Sequence, residues 1–274
     1  IIDSSADKTG KITREKYFEQ SNTTTSISVQ KGSLTAEGVA IDGQIGNKVV
    51  NGDAVALMKN PRVSVTLTNC TLTNTVSTDA NIDFEHLENG VDVTMDHCTA
   101  DKGVEVGYGT GENVSITNNS TVGSLNLIAA KAVVTDTQVT GRNAMISADD
   151  CTIKNDTFNG LVLEGSSDVV LENVSVTAMA YNSGALIVRG TGAVTIKGGV
   201  YLNSIIIKGY AISSEGCPVK IESGYFKGTG GSVKGAYTTP EGKILGAVTE
   251  GDYAGYQTVV DGEEPEVADP AVTI

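Results

Sequence analysis

The chain has 274 residues, 39% of them hydrophobic, which is enough for a folded domain with a real core. Its net charge of −14 argues against nucleic acid or an anionic membrane as a partner, because both require a basic surface. No apolar stretch approaches the roughly 20 residues that cross a bilayer, so membrane insertion is not expected. The chain starts at Ile1 without a basic and apolar leader, and we expect a mature or trimmed form.

Residues 1–26 precede any repeat and are expected to cap one end of the domain. They contain the segment ITREKYFEQ from Ile12, which predicts a short amphipathic helix, and then the polar run SNTTTS. A cap is needed wherever a stack of strands would otherwise end in unpaired edges.

One pattern then recurs along the chain: apolar, polar, apolar, polar, then Asn or a substitute, then an apolar residue three positions later. Its copies from Leu67 onward lie between 18 and 28 residues apart. The third position is always apolar, and an earlier copy is predicted at Ile27. The third positions are Val29, Leu67, Met95, Ile116, Val134, Ile153, Leu171, Ile196 and Ile221.

A second strand with period-two alternation precedes most copies. These preceding strands are marked by the pairs Val55/Leu57, Ile82/Phe84, Val104/Val106, Leu125/Leu127, Ala144/Ile146 and Leu161/Leu163. No helical stripe separates the strands, so a fold with crossover helices is excluded. Each unit has one apolar row per strand and must stack on its neighbours to bury it. The sequence therefore predicts an all-β fold, a right-handed parallel β-helix of about nine coils spanning residues 27–260.

The position after each repeat strand predicts a sharp corner. Its occupants are Asn69, His97, Asn118, Asp136, Asn155, Asn173, Gly198 and Ser223. Most of these types tolerate the left-handed backbone that such a corner requires. The asparagines also belong to N-x-[ST] sequons, but they share the structural period, so we assign them to the corner rather than to glycosylation.

The repeat resembles the right-handed parallel β-helix (pectate-lyase-like) superfamily over roughly residues 27–227. The C-terminal part, IESGYFKG followed by a Tyr- and Gly-rich segment, resembles the ends of gut-bacterial cell-surface β-helix proteins. This resemblance implies a secreted or cell-surface location. Residues 261–274 are acidic and proline-bearing and are expected to form a linker or tail.

Enzymes of that superfamily act on polysaccharides, but their signatures are missing here. Asp149–Asp150 is a lone acidic pair without a G-H-G motif, and none of the four arginines has the context of a lyase base. We therefore predict no catalytic residues. We expect a non-enzymatic, monomeric surface module, adhesin-like or a spacer, whose partners are glycans or a host or cell-wall surface. A carbohydrate-active lyase or glycoside hydrolase is the alternative.

One outward patch is the best candidate for chemistry. Asp83 and Glu105 are predicted to stack on adjacent coils, with Glu85 just beyond and His86 stacked between Lys59 and Tyr108. Two carboxylates about 5 Å apart repel, which raises one pKa as an acid/base pair requires. The same oxygens suit Ca²⁺, while an ordinary solvated polar face is the simplest interpretation. No cofactor is otherwise expected.

Tyrosines concentrate in the last quarter of the chain: Tyr201, Tyr210, Tyr225, Tyr237, Tyr253 and Tyr256. Sugar rings stack on aromatic faces, so this end is a second candidate for glycan binding. Packing of an end cap is the competing interpretation, and the repeat register places Tyr201 in the core. The four cysteines fit no metal pattern, and Cys70 and Cys98 are predicted to be neighbours on consecutive coils.

Overall fold

The structure, a computed structural model, describes residues 11–13, 25–29, 31–47, 61–75, 78–165, 168–178, 184–190, 192–204 and 208–262. Within these ranges the chain forms 26 β-strands and no helix. The strands are β1 (Lys11–Thr13), β2 (Thr25–Ser28), β3 (Gly32–Glu37), β4 (Ala40–Asp42), β5 (Gln44–Gly46), β6 (Val63–Thr68), β7 (Thr71–Thr73), β8 (Ile82–Glu85), β9 (Val91–Asp96), β10 (Thr99–Ala100), β11 (Val104–Gly107), β12 (Asn113–Thr117), β13 (Thr121–Val122), β14 (Leu125–Thr135), β15 (Gln138–Lys154), β16 (Thr157–Gly165), β17 (Val169–Glu172), β18 (Ser175–Ala178), β19 (Gly184–Gly190), β20 (Val194–Asn203), β21 (Tyr210–Glu215), β22 (Val219–Gly228), β23 (Gly231–Lys234), β24 (Tyr237–Thr238), β25 (Lys243–Ala247) and β26 (Gln257–Asp261).

The strands stack in three parallel ladders that run the length of a right-handed β-helix. The repeat ladder runs from β3 through β6, β9 and β12 to β24 and contains the repeat strands predicted from Leu67 to Ile221. The preceding ladder runs from β2 through β5, β8 and β11 to β23 and contains the preceding strands predicted from Ile82/Phe84 to Leu161/Leu163. A third, short ladder follows each corner and includes β4, β7, β10 and β13.

The core lies inside the three ladders and is built from aliphatic columns. In the repeat ladder Leu67, Ile116, Ile153, Leu171 and Ile196 are all fully buried. They stack in one register with Met95 and Val134 between them. The predicted buried column is therefore confirmed, and it forms because period-two alternation directs every second side chain inward.

The number of turns is slightly smaller than predicted. Seven successive pairings of the repeat ladder, from β3 to β20, keep one unbroken register, and the solenoid has about seven turns rather than nine. The next pairing, β20 with β22, shifts register between Ile196 and Lys197. A small change of register at the C-terminal end is not visible in a pattern of apolar residues.

The repeat copy predicted at Ile27 is wrong. Ile27 pairs with Ile45 in the preceding ladder, and the first repeat strand is β3, where Ala36 pairs with Leu67. The true first copy has a small residue at its third position and Gly38 (φ 63°) at its corner, so its pattern is weaker than that at Ile27. The predicted preceding strand at Val55/Leu57 lies outside the described residues.

Residues 11–13 form a strand where the sequence predicted a capping helix. β1 pairs in parallel with β4, so this segment extends the short ladder. The rest of the predicted helix, residues 14–20, lies outside the described residues. At the other end, β25 and β26 form an antiparallel hairpin, and Gln257 of β26 pairs with Phe226 of β22. Antiparallel pairing here covers the edge of the last coil.

The predicted corners have the expected backbone at seven of the eight positions. Asn69, His97, Asn118, Asp136, Asn155 and Asn173 have φ between 52° and 57°, and Gly198 has φ 94°. At the eighth corner the positive φ belongs to Gly224 rather than Ser223. The corner amides also bond between coils: Asn173 donates to Asn155 at 3.1 Å. These amides are therefore engaged in the ladder.

Cys70 and Cys98 lie one coil apart in the slot after the corner, as predicted. Both are buried, and the backbone N–H of Cys70 donates to Sγ of Cys98 at 3.4 Å. The next coil repeats the contact, because the N–H of Cys98 donates to Oγ of Ser120. Both thiols are free in the structure. The slot therefore selects small side chains that accept a hydrogen bond from the previous coil.

Candidate functional site

The outward acidic row lies on β8, β11 and β14 of the preceding ladder. Asp83 is the direct partner of Glu105, and Glu105 is the partner of Asn126. All three are half-buried. The Gln44 amide donates to Oδ2 of Asp83 at 2.8 Å, and the Asn126 amide donates to Oε1 of Glu105 at 2.8 Å. Each carboxylate thus has one oxygen held by a neighbouring amide.

Burial raises the pKa of Asp83 to about 7, and the charges of Glu85, Glu105 and Asp79 add to this rise. The hydrogen bond from Gln44 lowers the same pKa but does not offset the burial. Oδ1 of Asp83 has no hydrogen-bond partner among the described residues. The row therefore places a carboxyl group with a raised pKa directly beside a second carboxyl group.

Glu85 and His86 end the strand β8. Burial raises the pKa of Glu85, Glu105 adds to the rise, and His86 opposes it. The amide of Asn47 holds the Glu85 backbone on both sides, because it donates to the Glu85 carbonyl and accepts the Glu85 N–H. This segment is therefore fixed to the coil below it.

His86 and Tyr108 form an aromatic stack at the end of their strands. Their ring centroids lie 5.3 Å apart with 22° between the planes. Both have positive φ, 57° and 59°, so the chain turns sharply at each of them. Tyr108 is 48% exposed. Lys59, the predicted third member of this stack, lies outside the described residues.

A cleft of about 360 Å³ opens directly after Tyr108. The loop of residues 109–112 forms one wall, and strands β14 and β15 form the floor. Ile128, Ala129 and Ala130 supply an apolar floor, while Ser147 and Asp149 lie at its polar rim. Sequence analysis missed this cleft, although the glycine-rich segment GYGTGE from Gly107 signals a tight loop after a strand.

Glu112 is the most unusual side chain of the cleft. It is only 3% exposed, and its Oε1 has no hydrogen-bond partner among the described residues. Burial raises the pKa of its carboxyl group, while the backbone N–H groups of Glu112 and Gly109 and the charge of Arg62 oppose the rise. A Cβ at position 109 would lie 2.1 Å from Oε1, so only glycine leaves room for this carboxylate.

The second candidate site predicted from the sequence is the group of tyrosines in the last quarter of the chain. Tyr225 and Tyr253 stack at 3.9 Å, and Tyr256 meets Tyr253 edge-on, so these three pack against one another beside the terminal hairpin. Tyr201 is fully buried against Phe226, and Tyr237 is 43% exposed. Tyr201, Tyr225, Tyr253 and Tyr256 therefore pack against other rings, and glycan binding at this end of the chain stays a prediction.

In the described part of the chain, no group of three or more His, Cys, Asp and Glu side chains could hold a metal ion. The acidic row of Asp83 and Glu105 is therefore not part of a metal-binding group of three or more such side chains among the described residues. What the site offers chemically is an acid beside a carboxylate, an exposed aromatic face and a mixed cleft, all on one edge of the preceding ladder.

Comparison with known proteins finds no relative. No protein-family model matches the chain, no curated protein matches it, and no solved structure matches it. The described residues contain no helix that is long and apolar enough to cross a membrane. The fold and the site geometry therefore carry the functional argument.

Proposed function

We propose that this chain is a non-enzymatic module of a bacterial cell-surface or secreted protein, a rigid display or spacer domain that binds glycans. It is a monomer of the pectate-lyase-like β-helix superfamily, akin to gut-bacterial surface proteins. Its partners are sugars on a host or cell-wall surface rather than nucleic acid. The strongly acidic charge and the rigid parallel stack support an extracellular role.

The observation that carries this proposal is the exposure of Tyr108 together with its stack on His86. An aromatic ring that is half-exposed and supported from behind by His86 is pre-organised to receive the apolar face of a sugar. In the sequence Tyr108 directly precedes the segment 109–112, which lines a cleft of a size that suits small ligands. An exposed tyrosine without a second ring stacked behind it would not by itself indicate glycan binding.

The test compares glycan binding by wild type, Tyr108→Ala and Tyr237→Ala on a glycan array, with and without Ca²⁺. Tyr237 is a matched control, because it is similarly exposed and lies near the other end of the solenoid. We expect Tyr108→Ala to lose the glycans that wild type and Tyr237→Ala retain. Equal binding by all three proteins, or no binding by wild type, contradicts the proposal.

A carbohydrate-active enzyme is the second candidate, and Asp83 beside Glu105 is the observation that favours it. A general acid with a pKa of about 7 next to a carboxylate is the pairing that glycoside hydrolysis uses. Release of reducing ends or unsaturated products from a polysaccharide panel by wild type, but not by Asp83→Asn, would establish this activity instead.

A further inference from the structure

The cleft beside Tyr108 has the features of a selective site rather than a plain groove. Its floor is apolar, its rim carries the Ser147 hydroxyl and the Asp149 carboxylate, and its wall holds the buried Glu112. A sugar ring has the complementary features, since one face presents C–H groups and the edge presents hydroxyls. The volume of about 360 Å³ holds one or two such rings.

Oε1 of the buried Glu112 carboxylate has no hydrogen-bond partner among the described residues. A buried carboxylate oxygen without a partner is costly, and native structures normally satisfy such a group with protein, water or ligand. The nearest cations serve other carboxylates: Arg62 binds Asp92 through Nε and Nη2, and Lys131 pairs with Asp150 at 2.9 Å. No described side chain therefore donates to Oε1 of Glu112, and only the backbone N–H groups of Glu112 and Gly109 oppose the effect of its burial.

We propose that this cleft selects sugars that bring hydrogen-bond donors without negative charge, above all sugars with a free amino group, and rejects uronic acids. The inference rests on the proposed function, because it names the class of glycan that the site beside Tyr108 takes. An ammonium group pairs with Glu112 and Asp149, whereas a uronate would place a third carboxylate among them. Oε1 lies against Gly109, the first residue of the segment that lines the cleft.

Selection by charge also separates this site from that of a polyuronate-degrading enzyme. A groove for pectic substrates needs cations to neutralise the sugar carboxylates. Glu112 and Asp149 line this cleft, and the nearest cations, Arg62 and Lys131, are each already paired with a carboxylate. The amino-sugar preference therefore follows from the residues of this chain.

The experiment is calorimetric titration of the whole chain with three linear hexasaccharides. One is built from glucosamine, one from N-acetylglucosamine and one from galacturonic acid. We expect affinity to fall in that order, with no measurable binding of the uronate. Glu112→Gln and Asp149→Asn should each weaken glucosamine binding, the first by about tenfold or more, because each removes a charge-assisted bond. Glu172→Gln removes the same charge from another face and should leave binding unchanged.

The outcomes separate the inference from the proposed function. If Tyr108→Ala abolishes binding but Glu112→Gln and Asp149→Asn bind glucosamine as wild type does, glycan binding stands and the cleft assignment is wrong. Uronate binding as tight as glucosamine binding also overturns the assignment. If wild type binds none of the three sugars, both proposals fail. Because buried Glu112 could affect folding, the exposed Asp149→Asn variant and an unchanged melting temperature keep the comparison valid.

Discussion

The carboxylate of Glu172 lies 2.7 Å from the ammonium group of Lys154, one coil below it and 18 residues earlier in the chain. The two are direct partners in the repeat ladder, and Lys197 is the next partner of Glu172. Glu222 follows within 3.9 Å of Lys197 despite the register shift, and it also pairs with Lys220. Charges of alternating sign therefore follow one another up the stack, with ion pairs at Lys154–Glu172 and Lys197–Glu222, and they report its register.

Reversing one charge should disturb this ladder. Glu172→Lys places three cations in a row, so the melting temperature should fall, and it should fall less in ~1 M salt, where the Debye length is about 3 Å. The double variant Lys154→Glu with Glu172→Lys restores one pair and should recover part of the loss. An equal loss in low and high salt would show that the effect is not electrostatic.

Truncation in the buried column should be much more costly. Ile153 is fully buried between Val134 and Leu171, and Ile153→Ala should lower the free energy of unfolding by about 2–5 kcal/mol through lost burial and a cavity. Ile153→Val is the matched control and should lose only about 0.5–1.5 kcal/mol. Urea unfolding measures the free energy of unfolding of both variants. If Ile153→Ala lost less stability than Ile153→Val, the assignment of Ile153 to the buried column would be wrong.

The stability of the protein should decrease as the pH rises through neutrality. The pKa of Asp83 is raised to about 7 and that of Asp156 to about 8, in both cases mainly by burial. A carboxyl group with a raised folded pKa contributes stability that is full below its unfolded value and is lost as pH rises through the folded value. Asp83→Asn, which can keep the Gln44 bond, should remove the loss that accumulates between about pH 4 and pH 7, on the order of 2–4 kcal/mol by pH 8. A pH profile unchanged by this substitution would contradict the burial of Asp83.

Cys70 and Cys98 should remain thiols. Each sulfur contacts backbone carbonyls as a hydroxyl would, Cys98 with those of Leu67 and Asp96. The side-chain interaction between the two thiols raises the pKa of Cys98 and lowers that of Cys70. Titration of the denatured, unreduced protein should give four thiols. Two thiols would show that oxidation had joined this in-register pair.

Ca²⁺ should not stabilise the acidic row specifically. Asp83 and Glu105 each have one oxygen held by an amide, so a Ca²⁺ ion would have to compete with those bonds. We expect millimolar Ca²⁺ to change the melting temperature no more than Mg²⁺ or an equal ionic strength of NaCl. A rise specific to Ca²⁺ that Asp83→Asn abolishes would instead establish a calcium site.

The candidate site shows how far sequence reasoning reaches. The period of the repeat was sufficient to place Asp83 opposite Glu105 and His86 against Tyr108, because residues at equal repeat positions must stack. The same period carried no information on the loop of residues 109–112. Loops are not periodic, so the buried carboxylate of Glu112 and its cleft appeared only when the strands below the loop were in place.

The sequence by itself determined the class of fold, the identity of the buried column and most corners, because side-chain alternation and left-handed backbone are local properties with a fixed period. Tertiary structure decided the ends: the pairing of Ile27 with Ile45, the register shift after Ile196 and the antiparallel hairpin over Phe226. At an end each strand has one neighbour instead of two, so weak local patterns compete, and only the pairing that buries the remaining edge distinguishes them.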